Sequence, residues 1–394
     1  MYIKVPLKLF YEGKVKLLLP DDELLGEEEA RRIVFYNPVM SFSRDFSICI
    51  LKAYAKLKGK RYLRIAEPLT ASGVRGIRYA KEVEEVGEVI ISDVNPIAVR
   101  LARINVVLNQ VHEKIVVKLF DANTLLSRYG ARGKRFDFVD IDPFGSPSPY
   151  VDSAIRSTSI GGVIALTATD MPPLCGVYPH VALRRYGGLS LRTEYCHELA
   201  VRLVLGLLAR EAGKYELSIK PLIAHSTRHY IRVFVELSSS KNAATNMGYI
   251  YHCHKCLNRL VVRFKDLSST RTECERCHTQ MDVAGPLWIS SIFDKAFCEE
   301  TLKIAESSNM SSKKELSKIL RLIVSEADGP PTFYTIDAIS HKYKLKQPKI
   351  QRLIETLRSH GFYASPTHFN FKGFRFNGDI AELIKILAWH ARLN

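Results

Sequence analysis

The sequence has no apolar run long enough to cross a membrane. Its longest, Ile160 to Ala168, falls far short of the roughly 20 residues a bilayer helix needs. It has no secretion-signal block: Met1 to Pro20 alternates apolar residues with lysine. It has no Gly-x-Gly-x-x-Gly dinucleotide fingerprint, no long internal repeat and no low-complexity tract. Negative charge is scarce. Asp plus Glu number 41 against 57 Lys plus Arg, which leaves +16 and a pI near 9.4. Such a surplus directs attention to a polyanionic partner, nucleic acid first, although a basic background gives the same arithmetic. Cysteine is sparse, 8 in 394 residues. Four of the eight form two Cys-x-x-Cys pairs, and Cys49, Cys175, Cys196 and Cys298 are scattered. That is the pattern of a reduced, intracellular chain rather than a disulfide framework.

What remains is the composition of a globular protein, 46% hydrophobic and 25% charged, with length for two or three domains. Tyr2 to Leu9 and Lys14 to Leu19 read as a hairpin around Glu12-Gly13, followed by an acidic helical run from Asp21 to Glu29. Strands and helices then alternate. Strands are expected at Tyr62–Ala66, Glu88–Ser92, Ile115–Phe120, Phe136–Ile141 and Gly162–Thr169, which predicts a parallel sheet with right-handed crossovers. Asn95-Pro96 opens a helix, with Ile97, Leu101, Ile104 and Leu108 at helical spacing. A helix is expected over Leu191–Arg210, strands at Glu216–Ala224 and Tyr230–Leu237, and a linker at Ser238–Asn246. These mark one domain over residues 1–240 and a second, α+β domain over 241–394. The second would hold a cysteine module at about 250–280 and, at about 311–380, helices Ser317–Ser325, Thr335–Tyr343 and Lys349–Ser359 before an aromatic hairpin, the outline of a winged helix.

Five constellations carry chemistry. After the first strand of the alternating region, Glu67-Pro68-Leu69-Thr70-Ala71-Ser72-Gly73-Val74-Arg75-Gly76 places Gly73 where backbone can approach a ligand. Asp93, twenty residues on, ends the next strand and suits ribose hydroxyls. Asp121-Ala122, after the third, suits an adenine; each Asp is equally a helix N-cap. Asp140-Ile141-Asp142-Pro143-Phe144-Gly145 follows the fourth strand. An exocyclic amine is a poor nucleophile, because its lone pair is delocalised into the ring. The Asp142 carboxylate can aim that lone pair and take the proton. The Pro143 carbonyl can accept a second hydrogen, and Phe144 can stack on the base. Asp140, on the same strand face as Asp142, is a cap or a supporting group. The third constellation is Cys253-x-x-Cys256, then 17 residues, then Cys274-x-x-Cys277, the spacing of a four-thiolate structural zinc site. His252, His254 and His278 are expected to be solvated. The fourth is basic and aromatic: Lys342, Lys344, Lys346, Lys349, Arg352 and Arg358 with Tyr363, Phe369, Phe371, Phe374 and Phe376. The lysines suit an RNA backbone or a solvated face equally; Phe371 and Phe376 are expected to fill the wing's own core. The fifth is Phe35-Tyr36-Asn37-Pro38 with Arg44, where Asn37-Pro38 reads as a turn and the Arg fork suits a carboxylate.

On these residues the chain resembles the tRNA (guanine-26-N2) dimethyltransferases of archaea and eukaryotes, from about Tyr11 to about Phe376. Four segments carry the resemblance: Phe35–Pro38 with Arg44; Thr70–Arg78; Asp140–Pro147; and Thr167-Ala168-Thr169-Asp170 with Leu174-Cys175-Gly176. It implies an α/β, class I S-adenosylmethionine-dependent methyltransferase fold, a Rossmann-like mixed sheet, with a family-specific C-terminal domain. It implies that Arg44, Gly73, Arg75, Asp93, Asp121 and Ala122 bind S-adenosylmethionine, that Asp142 is the catalytic carboxylate, and that Phe35 and Phe144, beside Pro143, line a guanine pocket. Arg44 would face the cofactor's carboxylate. Where Asp-Ala-Leu-Ser is frequent in the family, this chain has Glu67-Pro68-Leu69-Thr70, so the role of Glu67 is open. The expected cofactors are S-adenosylmethionine and structural zinc, and the expected partner is tRNA. No membrane and no obligate protein partner are expected, and the expected location is cytoplasmic. The alternatives are a non-catalytic RNA-binding protein on a methyltransferase core and an adenine-N6 methyltransferase. The latter class favours Asp/Asn-Pro-Pro-aromatic, whereas Phe144 follows a single proline.

Overall fold

The computed structural model describes residues 5–131, 133–239 and 243–392. The start of the expected first strand, and residues 240–242 of the expected linker, lie outside these. The chain divides into two compact units. The first comprises Met1–Pro143, Pro149–Leu166 and Glu299–Leu320; the second comprises Phe144–Ser148, Thr167–Cys298 and Arg321–Asn394.

The first unit opens with the antiparallel hairpin β1 (Leu7–Glu12) and β2 (Val15–Pro20). The acidic run expected to be one helix is two, α1 (Asp22–Leu25) and α2 (Glu27–Ile33). Gly26 breaks it at φ 84°, a conformation open to glycine and costly for other residues. Next come α3 (Ser41–Lys58), β3 (Leu63–Glu67), α4 (Val74–Glu82), β4 (Val86–Asp93), α5 (Pro96–Leu108), β5 (Ile115–Leu119), α6 (Ala122–Arg128), β6 (Phe136–Ile141), α7 (Val151–Ser157) and β7 (Thr158–Ala168). The parallel strands run in the order β5-β4-β3-β6-β7. The inner strands β4, β3, β6 and β7 are largely buried, as a sheet sandwiched by helices requires, whereas the edge strand β5 leaves Val116 and Leu119 exposed. The apolar stripe expected on α5 is rotated. Ile97 and Leu108 are exposed, and the buried face is Ala98, Leu101, Ala102, Asn105 and Val106. Asn105 decides this. Its side chain accepts from Leu18 N (2.7 Å) and donates to Leu18 O (3.1 Å) and Ser72 O (3.0 Å), doing for the β2 edge what another strand would do. A buried amide needs all those partners, and it turns the helix towards them. Full burial of Leu101 in the same face contributes about 2 kcal/mol.

The second unit contains α8 (Met171–Leu174), α9 (Pro179–Tyr186), α10 (Cys196–Gly213) and the antiparallel pair β8 (Leu217–Thr227) and β9 (Tyr230–Ser239). Its strands β10 (Met247–His252), β11 (Arg259–Arg263) and β12 (Asp282–Trp288) form a three-stranded antiparallel sheet carrying the cysteine pairs. Helices α11 (Lys295–Ser307) and α12 (Lys313–Glu326) follow, sharing the segment assigned to the first unit. The rest is β13 (Tyr334–Thr335), α13 (Ile336–Tyr343), α14 (Ile350–Ser359), β14 (Ala364–Pro366), β15 (Gly373–Phe376) and α15 (Ile380–Arg392), a winged-helix-like arrangement with sheet order β13-β15-β14. Helix α10 begins five residues later than its sequence pattern suggests. Leu189 is held extended by paired backbone bonds to Gly285 (2.8 and 2.9 Å), and residues 191–192 lie flat against Gly176. Phe376 fills the wing's core as expected, with Phe374 beside it, but Phe371 does not: it is 85% exposed at the wing tip. Successive strand side chains alternate, yet Phe371 lies in the turn before β15, where alternation does not apply.

Candidate active site

Parallel register brings the carboxyl ends of β3, β4, β5 and β6 to one edge of the first unit, the edge where open α/β sheets bind ligands. After β3 the chain turns through Ala71 (φ 47°) and Gly73 (φ 82°) into α4. Glu67 shapes this turn. It is fully buried, and its Oε2 accepts from Thr70 Oγ1 (2.7 Å) and Gly76 N (2.9 Å). Burial pushes its carboxyl up to about 8 despite Arg75 and those donors. A side chain on Gly76 would come within 2.6 Å of Ile91 Cγ2 and 2.9 Å of Glu67 Oε2, so glycine there permits the close approach.

Asp93 lies at the end of β4. Its Oδ2 accepts from Ala71 N (2.9 Å) and its Oδ1 from Asn95 N (2.9 Å). The carboxylate thus fixes the glycine turn and the start of α5 together. Asp121 is exposed and accepts from Thr124 N (3.0 Å), the N-cap bond of α6, with Ala122 buried behind it. The hydroxyl of Ser72, in the glycine turn, is buried without a hydrogen-bond partner. A turn with an orphaned hydroxyl, a positive-φ glycine and two strand-end carboxylates fits a ligand carrying a ribose and polar ring atoms.

Asp142 follows β6 with about a quarter of its side chain exposed (23%). Arg75 Nη2 donates to its Oδ2, and Arg75 Nη1 donates to Ser47 Oγ (3.1 Å). Asp140, fully buried, accepts from Tyr79 Oη (2.5 Å) and lies 3.8 Å from Arg75 Nη1. Burial works against the Arg75 charge, but Asp142, Asp140, Tyr79 and Glu67 outweigh it and raise its pKa well above the usual value. The structure therefore sets Arg75, expected at a cofactor, directly against Asp142. Pro143 is buried, and Phe144 after it is 74% exposed.

Arg44 meets a carboxylate of the chain itself. It is buried, with Nε donating to Glu12 Oε1 (2.6 Å) and Nη2 to Glu12 Oε2 and to Asn37 O (3.0 Å). Its carboxylate partner is thus supplied by β1. Asn37 caps the short turn at Pro38–Met40, as its sequence suggests, and Tyr36 Oη donates to Glu12 Oε2 (2.8 Å). Phe35 is half-buried beside it. Glu12 also accepts from Arg78 Nη1 (2.9 Å), and Arg78 donates to Asp45 (2.6 Å) and Glu82 (2.6 Å). Burial pushes the Glu12 carboxyl up, but Arg44 and Arg78 outweigh it and hold it below the usual range. Asp45, Ser47 and Tyr79 were not singled out from sequence, Glu12 was read only as a turn residue, and Arg78 only as the end of a family segment. The available signal was Arg75, Arg78 and Tyr79 at i, i+3 and i+4 on one face of α4, a helix buried on nearly every side, since buried cations demand buried anions.

In the second unit, Cys253, Cys256, Cys274 and Cys277 bring their sulfurs within 4.8 Å of one another, with 3.4 Å between Cys253 and Cys277 and 3.5 Å between Cys256 and Cys274. Four thiolates at 2.3 Å around one tetrahedral ion stand about 3.8 Å apart. The two loops are alike. Leu257 N donates to Cys253 O (2.8 Å) and His278 N to Cys274 O (2.9 Å), and both Leu257 and His278 have positive φ. The donor set fits a closed, structural ion. His254 and His278 are exposed, but His252 is buried against Tyr195, whose hydroxyl lies 3.2 Å from His252 Nδ1, because it ends β10 on its inner face. The cluster Lys342, Lys344, Lys346, Lys349, Arg352 and Arg358 is exposed. Lys342 Nζ and Tyr343 Oη bond His254 O (3.1 Å) and Cys256 O (2.8 Å), tying α13 to the cysteine module.

Among the described residues, no helix is long and apolar enough to cross a membrane. Comparison with known proteins matches residues 13–388 to the family described as N2,N2-dimethylguanosine tRNA methyltransferase. The chain is 36% identical to the tRNA (guanine(26)-N(2))-dimethyltransferase of Methanosphaera stadtmanae, covering 95% of both chains. It is 36% identical to the protein of the same name from Methanothermobacter thermautotrophicus, covering 96% of this chain and 97% of that one. The solved structure of Trm1 from Pyrococcus horikoshii, a complex with S-adenosyl-L-methionine, superposes with a TM-score of 0.84 at 31% identity, covering 96% of this chain and 99% of that one. The parallel strands of the first unit and the antiparallel strands of the second are those of a class I methyltransferase with a family-specific C-terminal part. This chain belongs to the N2,N2-dimethylguanosine tRNA methyltransferase family.

Proposed function

We propose that this chain transfers methyl groups from S-adenosylmethionine to the exocyclic N2 of guanine 26 in tRNA, giving N2-methyl- and then N2,N2-dimethylguanosine. The observation that carries the reading is Asp142. It is a partly exposed carboxylate at the carboxyl end of a parallel strand, gripped by buried Arg75 and followed by Pro143 and exposed Phe144, in a chain of this family.

Gly73, Asp93, Asp121 and Ala122 hold the cofactor's nucleoside, and the orphaned Ser72 hydroxyl supports a polar ligand in that turn. Arg44 and Arg75 serve the amino-acid end, with Arg44 oriented by Glu12. Bound S-adenosylmethionine supplies a methyl group on a sulfonium, whose leaving group needs no activation. The protein's task is alignment and proton handling. Asp142 accepts an N–H of the guanine amine and takes its proton as positive charge develops on nitrogen. The ion pair with Arg75 fixes the carboxylate's rotation, and the Pro143 carbonyl accepts the remaining hydrogen. Phe144 and Phe35 hold the base, which leaves the stack of the folded RNA to reach them. Cys253, Cys256, Cys274 and Cys277 hold a structural zinc ion. Residues 241–394, with the zinc module at about 250–280 and the winged-helix-like part at about 311–380, grip the tRNA by backbone and shape. The working location is the cytoplasm.

The test is methyl transfer from labelled S-adenosylmethionine to unmodified tRNA transcripts, followed by nucleoside digestion and mass spectrometry. Mono- and dimethylguanosine mapping to position 26 is expected. A methylated adenosine, or cofactor binding without transfer, overturns the assignment.

A further inference from the structure

A second cluster of soft ligands lies in the second unit, apart from the four-cysteine site. Cys175 caps α8, and Cys196 and His197 open α10. The two sulfurs and an imidazole nitrogen all lie within 4.8 Å of one another, and all three residues are half-buried. The backbone is built to hold them together. Ser190 Oγ donates to Pro173 O (2.6 Å), and a side chain on Gly176 would strike Arg192 N at 2.2 Å. The turn carrying Cys175 is thus pressed onto the segment that leads to Cys196. Helix α10 has no side-chain N-cap bond, so its first N–H groups favour a thiolate there.

We propose that Cys175, Cys196 and His197 bind a second thiophilic divalent cation, zinc by chemical preference. An imidazole beside two thiols adds nothing to a disulfide, whereas two thiolates and one neutral imidazole are three of the four donors of a tetrahedral zinc ion. Among the described residues no fourth His, Cys, Asp or Glu joins the cluster, so water takes the fourth position. Binding releases the thiol protons to solvent, and two thiolates neutralise the dication, which a half-buried site requires. The bound ion clasps residues 175 and 196 and closes the segment holding α9. From α9, Tyr186 Oη donates to Asp170 Oδ1 (2.5 Å) and Arg185 Nη1 to Asp170 Oδ2 (2.9 Å). Thr169, next to Asp170, exchanges hydrogen bonds with Gly145, the residue after Phe144: Gly145 N donates to Thr169 Oγ1 (2.8 Å) and Thr169 N to Gly145 O (3.0 Å). The clasp therefore steadies the loop that carries the aromatic Phe144.

The test is metal counting on the full-length chain dialysed against zinc-buffered solution under reducing conditions. About two ions per chain are expected, falling to about one in C175S/C196S and in H197N, with the four-cysteine site retained. In the wild-type chain, which needs no variant to fold, zinc should slow iodoacetamide labelling of Cys175 and Cys196 at least about tenfold, and a chelator should restore it. One ion per chain in wild type and variants alike, with labelling indifferent to zinc, overturns the proposal. So does a mass lower by two hydrogens with Cys175 and Cys196 joined in the peptide map, which would make the pair a redox disulfide.

Discussion

Two fully buried glutamates, one in each unit, titrate in opposite directions. Glu67 in the first unit is pushed up to about 8; Glu326 in the second is brought down to about 2. Burial raises both, and the neighbours decide the sign. Glu326 accepts from Arg375 Nε (2.7 Å), Thr367 Oγ1 (2.6 Å), His368 N (2.8 Å) and His368 Nδ1 (2.5 Å), so the Arg375 and His368 charges outweigh desolvation. Glu67 has two neutral donors, while its cation, Arg75, sits 4.0 Å away and spends its fork on Asp142 and Ser47. The second unit's buried charges neutralise one another: Glu198 with Arg202 and Arg375, and Glu326 with Arg375. In the first unit the cation is drawn outward, onto a carboxylate that still reaches solvent. A network closed on itself leaves no buried charge unpaired, so removing one member is costly, while one with an open end is available for chemistry.

The sharpest way to break this contrast is Asp142→Asn. The amide keeps the shape but cannot take a proton. Turnover on unmodified tRNA should fall about a hundred- to ten-thousandfold, with cofactor affinity by calorimetry changed far less. Near-normal turnover would mean that the open end of the network is not where the proton goes. In the closed network, Arg375→Met leaves Glu198 and Glu326 short of their shared cation, and denaturant unfolding should show a loss of about 3–5 kcal/mol.

The two glutamates give a finer test in pH. The Glu67 carboxyl is raised in the folded state, so the native chain holds that proton more tightly than the unfolded one. Its effect on stability is therefore increasingly adverse as pH climbs from the ordinary carboxyl range towards 8. Thermal unfolding should find Glu67→Gln level with wild type near pH 5 and gaining on it by pH 8. Glu326 is lowered, so its contribution is complete above the ordinary range and is lost as pH falls towards 2. Glu326→Gln should be less stable than wild type at neutral pH, with the gap closing in acid. Parallel curves for the two variants would erase the distinction. The smallest effect is expected at Phe371. Being exposed, it should tolerate alanine within about 0.5 kcal/mol of stability. If its ring stacks on RNA, tRNA affinity by filter binding should drop about fivefold, the order of one base–aromatic stack.

Much of this was legible in the sequence because it is local. Strand ends at Asp93, Asp121 and Asp142 are marked by an acid followed by a helix start or a proline, and Asn95 and Asn37 cap as their residue types dictate. The cysteine loops follow from spacing alone. Three of the differences have a common cause: the start of α10, the buried face of α5 and the burial of His252 depend on residues far away in sequence, while Phe371 is exposed because it lies in a turn before β15. Leu189 is held by Gly285, Asn105 by Leu18 and Ser72, and His252 by Tyr195. Arg44 shows the same dependence on distant residues. Its position said only that a carboxylate would suit it, and the hairpin residue Glu12, thirty-two positions earlier, supplies one.

By itself the sequence determined the alternating strands and helices, the family motifs, the four-thiolate spacing and the excess of positive charge. These are written in periodicity, residue type and count, and need no partner from elsewhere in the chain. Only the tertiary structure decided which acid each buried cation meets: Asp142 for Arg75, Glu12 for Arg44, and Glu198 with Glu326 for Arg375. Ion pairing falls off within a few ångströms and pays no regard to sequence distance. Folding brings those charges within reach, and only then does one of two buried glutamates keep its proton while the other gives it up.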